Sequence, residues 1–354
     1  MIIERRKSVK KETKVQIVIT IILVIILSVL LFLTLKGLNN RIEIKQPMEE
    51  EIIKDTKKED VDSGSSVNEE NINLSEHDSN ININEGGEYN VTGKFNNSLI
   101  IDTTEKVVLN LNNVTINSDI TAAIANINTG ELVINIPKGT TSTLKDNGSS
   151  EYDGCIYSSG KLTIQGDGKL YVYGNQEEGE GIATTDNDIT INGGDIYIES
   201  ADDGLNAGGD NGGVITINDG SIYIKASGDG IDSNKNLIIN GGKTYTMGSS
   251  IGGDAGIDTD GSFEINGGEV IALGSDMLQN PDKSSKQKYV SFTLNSKVNT
   301  DSKITLKDKN NDEIISFTAD EDFKTLILSS SNLKKNTYYM YIDGKKSEYS
   351  KVVE

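Results

Sequence analysis

Between residues 162 and 268 the chain repeats itself. An apolar-polar-apolar strand ending in a glycine turn occurs as LTIQGDG (162–168), ITINGG (189–194), ITINDG (215–220), LIINGG (237–242) and FEINGG (263–268). Its closing isoleucines, Ile164, Ile191, Ile217, Ile239 and Ile265, are 27, 26, 22 and 26 residues apart. A period of that length built from strands is the mark of a solenoid, because each repeat can bury its apolar side only against its neighbours.

A second strand follows each turn, as in KLYVYG (169–174), DIYIES (195–200), SIYIKAS (221–227), KTYTMGS (243–249) and EVIALGS (269–275). A third short element, EGIAT, DGLNA, DGIDS or AGIDT, leads into the next repeat. Three short strands and three corners per repeat predict one coil of a parallel β-helix, and helical periodicity is absent. Alternation along the strand sends Ile196, Ile198, Ile222, Ile224 and Val270 inward and leaves Tyr197 and Tyr223 outside. Weaker copies at 107–117 and 131–136 place further coils upstream, so the β-helix is expected over 81–284. The five strand-like segments after residue 285 lack the repeat and predict a small antiparallel β unit over 285–354.

The N-terminus is of another kind. Val15 to Leu35 carries no charge and is long enough, as a helix, to cross a bilayer core of about 30 Å. Six basic residues against two acidic ones precede it, which predicts a cytoplasmic tail at 1–14, an uncleaved single-pass anchor at 15–35 and export of the remainder to the cell surface. Residues 36–80 are polar, lack aromatic side chains and read as a disordered linker containing His77, the only histidine of the chain. Cys155 is the only cysteine, so no disulfide can hold the exported part together.

Charge is concentrated in the repeats: residues 151–280 hold 22 Asp and Glu against five Lys and no Arg. Such a surface has no basic stripe for nucleic acid. Aligning the third elements produces two acidic columns, Glu180, Asp203 and Asp229 with Asp254 displaced by one place, and Asn206, Asp232 and Asp258. Stacked about 4.8 Å apart, such carboxylates repel. Asp at a corner is also ordinary turn chemistry. A calcium ion, which takes six to eight oxygens, would offset the repulsion across neighbouring coils, whereas zinc would ask for His or Cys.

Two further groups enter as candidate ligand contacts. Tyr197, Tyr223 and Tyr245, continuing Tyr171, form an outward ladder suited either to sheet packing or to stacking on sugar rings. For a polysaccharide lyase Lys225 is the best-placed base, whereas in a hydrolase reading paired carboxylates such as Asp202 and Asp203 would act as acid and base. A non-catalytic adhesin or spacer is the third possibility.

The motifs DDGLNA, SGDGIDS and ITINGG, followed by TLILSSSNLKKNTYYMYIDG (325–344), resemble a bacterial family of exported carbohydrate-binding domains. The resemblance implies a right-handed parallel β-helix, similar to pectate lyases, with Ca2+ at the corners. It further implies binding of acidic, uronate-rich polysaccharide, with the corner acids falling on Asp202, Asp203, Asp229, Asp232, Asp254 and Asp258. Asn206, Ala255 and the Cys155-Ile156-Tyr157 segment depart from the motif.

Overall fold

The computed structural model describes residues 65–67, 70–147, 152–175 and 179–353. The tail at 1–14, the anchor at 15–35 and most of the linker lie outside the described residues. Among the described residues no helix is long and apolar enough to cross a membrane.

The chain forms an all-β parallel solenoid with a small antiparallel sheet. One face is a sheet of nine strands, each contributed by a successive coil, from Ser65–Val67 to Asp258–Thr259. The two remaining faces carry the glycine-turn strand and the strand after it. Along the first, Ile164, Ile191, Ile217, Ile239 and Ile265 stand in direct register. All five are fully buried. Taking such a side chain out of water contributes about 1.5–3 kcal/mol, so a column of them holds the solenoid together without a disulfide. Along the second, Ile196 and Ile198 face the core and stack on Ile222 and Ile224 as alternation predicts.

The turn between these faces explains the repeated asparagine and second glycine. The side-chain amide of Asn218 donates to Asn192 Oδ1 at 2.8 Å, that of Asn240 to Asn218 Oδ1 at 2.8 Å and that of Asn266 to Asn240 Oδ1 at 3.2 Å. This ladder links coil to coil outside the core. The glycine that follows takes a positive φ, +104° at Gly194 and +72° at Gly242, which a side chain would disfavour.

At the N-terminal end the linker boundary expected at residue 80 is corrected. Ser65–Val67 pairs in parallel with Ile81–Ile83, and Asn71–Asn73 with the strand Gly87–Phe95. Ile72 and Leu74 are buried in the core, so this mostly polar segment joins the solenoid through two apolar side chains. His77 accordingly stands at the end of a 3-10 turn, its amide donating to Leu74 O.

At the other end the direction of pairing reverses. Phe323–Ser329 lies antiparallel on Glu269–Gly274, the last strand of its face, and Tyr289–Val298 lies antiparallel on Phe323–Ser329. A four-stranded antiparallel sheet completes the unit, in the order Glu313–Thr318, Lys303–Asp308, Asn336–Ile342, Lys345–Val353. The segment 280–288 covers the last glycine-turn strand, Phe263–Ile265: Asp282 N donates to Phe263 O and Gln287 N to Ile265 O, while Phe263 N and Ile265 N donate to Asp282 Oδ2 and Ser285 Oγ. These contacts occupy edges that would otherwise recruit another strand.

Candidate functional site

The acidic corner is assembled by coil stacking. The register Asn206, Asp232, Asp258 is observed as aligned, with Ala183 completing the column on the N-terminal side. The second column is Glu180, Asp203, Asp229 and Ala255, followed in the backbone ladder by the amides of Gly181, Gly204 and Gly230. Asp254 stands one residue earlier, beside the column.

Asp203 Oδ1 accepts the backbone N–H of Asp229 at 2.6 Å, and Asp229 Oδ1 accepts that of Ala255 at 2.5 Å. One oxygen of each carboxylate therefore ties its coil to the next, which is the turn chemistry open from sequence. Asn206 donates through Nδ2 to Glu180 Oε1 and, at 3.3 Å, to Asp203 Oδ2. Its Oδ1 is buried and has no hydrogen-bond donor among the described residues. A buried acceptor left without a donor is uncommon in a folded protein and is a vacant lone pair at this corner.

The electrostatics of the corner are unfavourable as it stands. Burial pushes Asp203 up to about 8, with the charges of Asp202, Asp229 and Asp232 adding to the shift. Asp229 rises to about 7 through burial, with Asp258, Asp232 and Asp254 as further causes. Asp232 rises to about 6 through burial and the repulsion of Asp258 and Asp260. Glu180, almost wholly enclosed, is raised well above the carboxylate range by burial and by Asp153 and Asp203. The charges acting on these four carboxyls are all those of other carboxylates. Asp260, which the sequence alignment passed over, belongs to the same cluster and could have been found by extending the column one residue past the Asp258-Thr259 pair.

The donor set is made of oxygen alone, which suits a hard cation such as calcium rather than zinc. Among the described residues no three acidic, thiol or imidazole side chains already converge as a metal site. The fit therefore lies in the donor chemistry, the vacant Asn206 acceptor and the uncompensated charge.

The tyrosine ladder is real but largely covered. Tyr171, Tyr197, Tyr223, Tyr245 and Ile271 stand in register. Tyr197 and Tyr223 stack with centroids 5.1 Å apart, and Tyr223 and Tyr245 at 5.2 Å. The C-terminal unit sits on this stack: Tyr223 Oη donates to Asp320 Oδ2 at 2.8 Å, Tyr245 Oη to Thr318 O at 3.3 Å, and Phe317 meets the Tyr245 ring edge-on at 5.9 Å. Tyr223 and Tyr245, expected as sugar contacts, are thus used in packing, and Tyr197 donates to Glu199 Oε2 at 3.1 Å. Lys225 forms an ion pair with Glu321 at 2.6 Å. The amine taken as a lyase base or ligand contact is held by the C-terminal unit, an association between segments far apart in sequence.

With this geometry in place, a family model described as "Carbohydrate-binding domain-containing protein" matches residues 77–312. Among solved structures, a "polysaccharide lyase-like protein from C. thermocellum, Gadolinium derivative" is 24% identical, covering 58% of this chain and 88% of its own, with a TM-score of 0.41. No curated protein matches the chain.

Proposed function

Because the chain belongs to this family of carbohydrate-binding domains, matched over residues 77–312, we propose that it binds acidic polysaccharide through calcium held at the stacked corner. The observation that carries the reading is the pair of adjacent acidic columns, in which Asp203, Asp229 and Asp232 are all pushed upward by burial and by neighbouring carboxylates. Asp202, Asp203, Asp229, Asp232, Asp254 and Asp258 would hold the ion, with the Asn206 Oδ1 as a further oxygen donor. A bound calcium would supply positive charge shared between protein carboxylates and those of a sugar chain, turning mutual repulsion into attraction.

Within this reading the residues of the chain have distinct parts. Asp203 and Asp229 keep one oxygen on the backbone of the following coil, which fixes the direction of the other. Asp232 and Asp258 face outward from the neighbouring strand and are half-buried rather than enclosed, so a ligand can reach them. Anchoring through residues 15–35 would display the site at the cell surface.

Retention of polygalacturonate by the protein, measured in a pull-down with calcium and with chelator, tests the proposal. Calcium should raise retention above the level found in chelator, and Asp232→Asn should remove that increment. Equal loss of retention on neutral and acidic polymers would count against charge bridging, and an unsaturated product released from the polymer would replace binding by lyase chemistry.

A further inference from the structure

A second group of charged side chains shares no residue with the acidic corner. An open cleft of about 760 Å³ lies where the segment 278–293 meets the end of the strand Lys345–Val353. Three lysines line it, Lys283, Lys288 and Lys351, together with Tyr289 and Val352. Tyr289 is half-buried and Val352 is 65% exposed, so apolar surface stands beside the amines.

Three of the five lysines on the coils of 151–280 are already paired. Lys161, Lys169 and Lys225 each lie on a carboxylate, at 3.9, 3.1 and 2.6 Å from Asp188, Asp195 and Glu321. Among the described residues Lys283, Lys288 and Lys351 have no ion-pair partner. Among the described residues the one carboxylate lining the cleft, Asp282, accepts the Phe263 amide through Oδ2 at 3.1 Å. The local balance is also different: residues 281–354 contain 13 Lys against 11 Asp and Glu, whereas the coils of 151–280 carry 22 acidic residues against five lysines. An acidic molecule that gathers three unpaired amines in one concavity has a place for an anion that its remaining surface repels. The size falls within the roughly 300–1,000 Å³ usual for small-molecule sites.

We infer that this cleft is a metal-independent site for a carboxylated saccharide, with Lys283, Lys288 and Lys351 receiving the carboxylates and Tyr289 and Val352 lying against the apolar faces of the sugar rings. The inference rests on the carbohydrate reading above but not on calcium. Charge-assisted contacts from ammonium to carboxylate are shorter and stronger than neutral ones. The position also follows from the fold, because the segment that covers the last coil supplies two of the lysines and the last strand of the C-terminal sheet the third.

The test is calorimetric titration of the full chain with tetragalacturonate, in chelator and in calcium. In chelator the unmodified protein should bind, and the triple variant K283Q/K288Q/K351Q should bind about tenfold or more weakly, the loss of about 1.4 kcal/mol or more. The matching triple arginine variant should retain binding, and fully methyl-esterified tetragalacturonate should not bind in chelator. All three lysines are exposed, so both variants should keep the melting temperature of the parent. No binding in chelator, undiminished binding by the glutamine variant, or equal binding of tetraglutamate would overturn the assignment. Binding that appears only with calcium and survives the glutamine variant would leave the corner reading standing and remove this one; lysine-dependent binding to which calcium adds nothing would do the reverse.

Discussion

Asp229 joins two demands on one side chain. Its Oδ1 accepts the Ala255 amide, and its charge is disfavoured by burial and by Asp258, Asp232 and Asp254. Asp229→Asn keeps an acceptor oxygen and removes the charge, so in chelator at pH 8 the variant should melt higher than the parent, while calcium should raise its melting temperature less. Asp229→Ala loses the acceptor as well and should cost about 1–3 kcal/mol, read from urea unfolding, because a buried N–H is left unpaired. The same residues set a pH dependence. The folded values of about 8, 7 and 6 for Asp203, Asp229 and Asp232 lie above the ordinary 3.8, so the folded chain binds more protons than the unfolded one between about pH 4 and 8. Stability in chelator should therefore fall as pH rises through that window. A melting temperature in chelator that is flat or rises from pH 5 to 8 would contradict this. Of the corner residues, the acids were legible in sequence from their column, but the amide bonds that use one oxygen of Asp203 and Asp229 were not, since they depend on the distance between neighbouring coils.

At the scale of the element, the glycine inside the corner motif has a packing reason. A Cβ at Gly204 would fall within contact distance of the Ile224 methyl and the Gly230 carbonyl, and one at Gly181 would meet the Ile198 methyl and the Gly204 carbonyl. The corner glycines are fixed by the inward isoleucines of the neighbouring strand. Gly204→Ala should therefore destabilise by about 1–3 kcal/mol, as overpacked cores do, in a denaturant titration that gives a lower midpoint with a similar slope. An unchanged midpoint would mean that the corner has room that the packing around Ile224 does not indicate. Strand identity, inward alternation and the register of the isoleucine and tyrosine columns were legible because a fixed repeat places equivalent residues above one another. The asparagine ladder from Asn192 to Asn266 was visible only as a turn preference, because hydrogen bonding between coils requires the stack itself.

Over the whole molecule, the C-terminal unit decides which surfaces of the solenoid remain available. It pairs antiparallel with the last coil through Glu269–Gly274 and Phe323–Ser329, and it covers Tyr223, Tyr245 and Lys225 through Asp320, Thr318, Phe317 and Glu321. A chain ending at residue 284 would expose both the edge of Glu269–Gly274 and the apolar surface now against Leu326 and Leu328. Such a chain should self-associate through that edge, with earlier elution in size-exclusion chromatography at rising concentration. A concentration-independent monomer would show that the coil ends seal themselves. The sixth strand of the unit, Lys345–Val353, was not evident in sequence because its residues alternate weakly and several are charged, and it supplies Lys351 of the cleft.

The sequence by itself determined the solenoid, the inward isoleucines and the alignment of acids at one corner. All three follow from a repeat whose period fixes what lies above what. The tertiary structure decided the rest: that a coil is formed from residues read as linker, that the tyrosine ladder is packing surface, and that three lysines from separated segments share a cleft. Each of these depends on contacts between segments that carry no repeat, and so no periodic signal announces them.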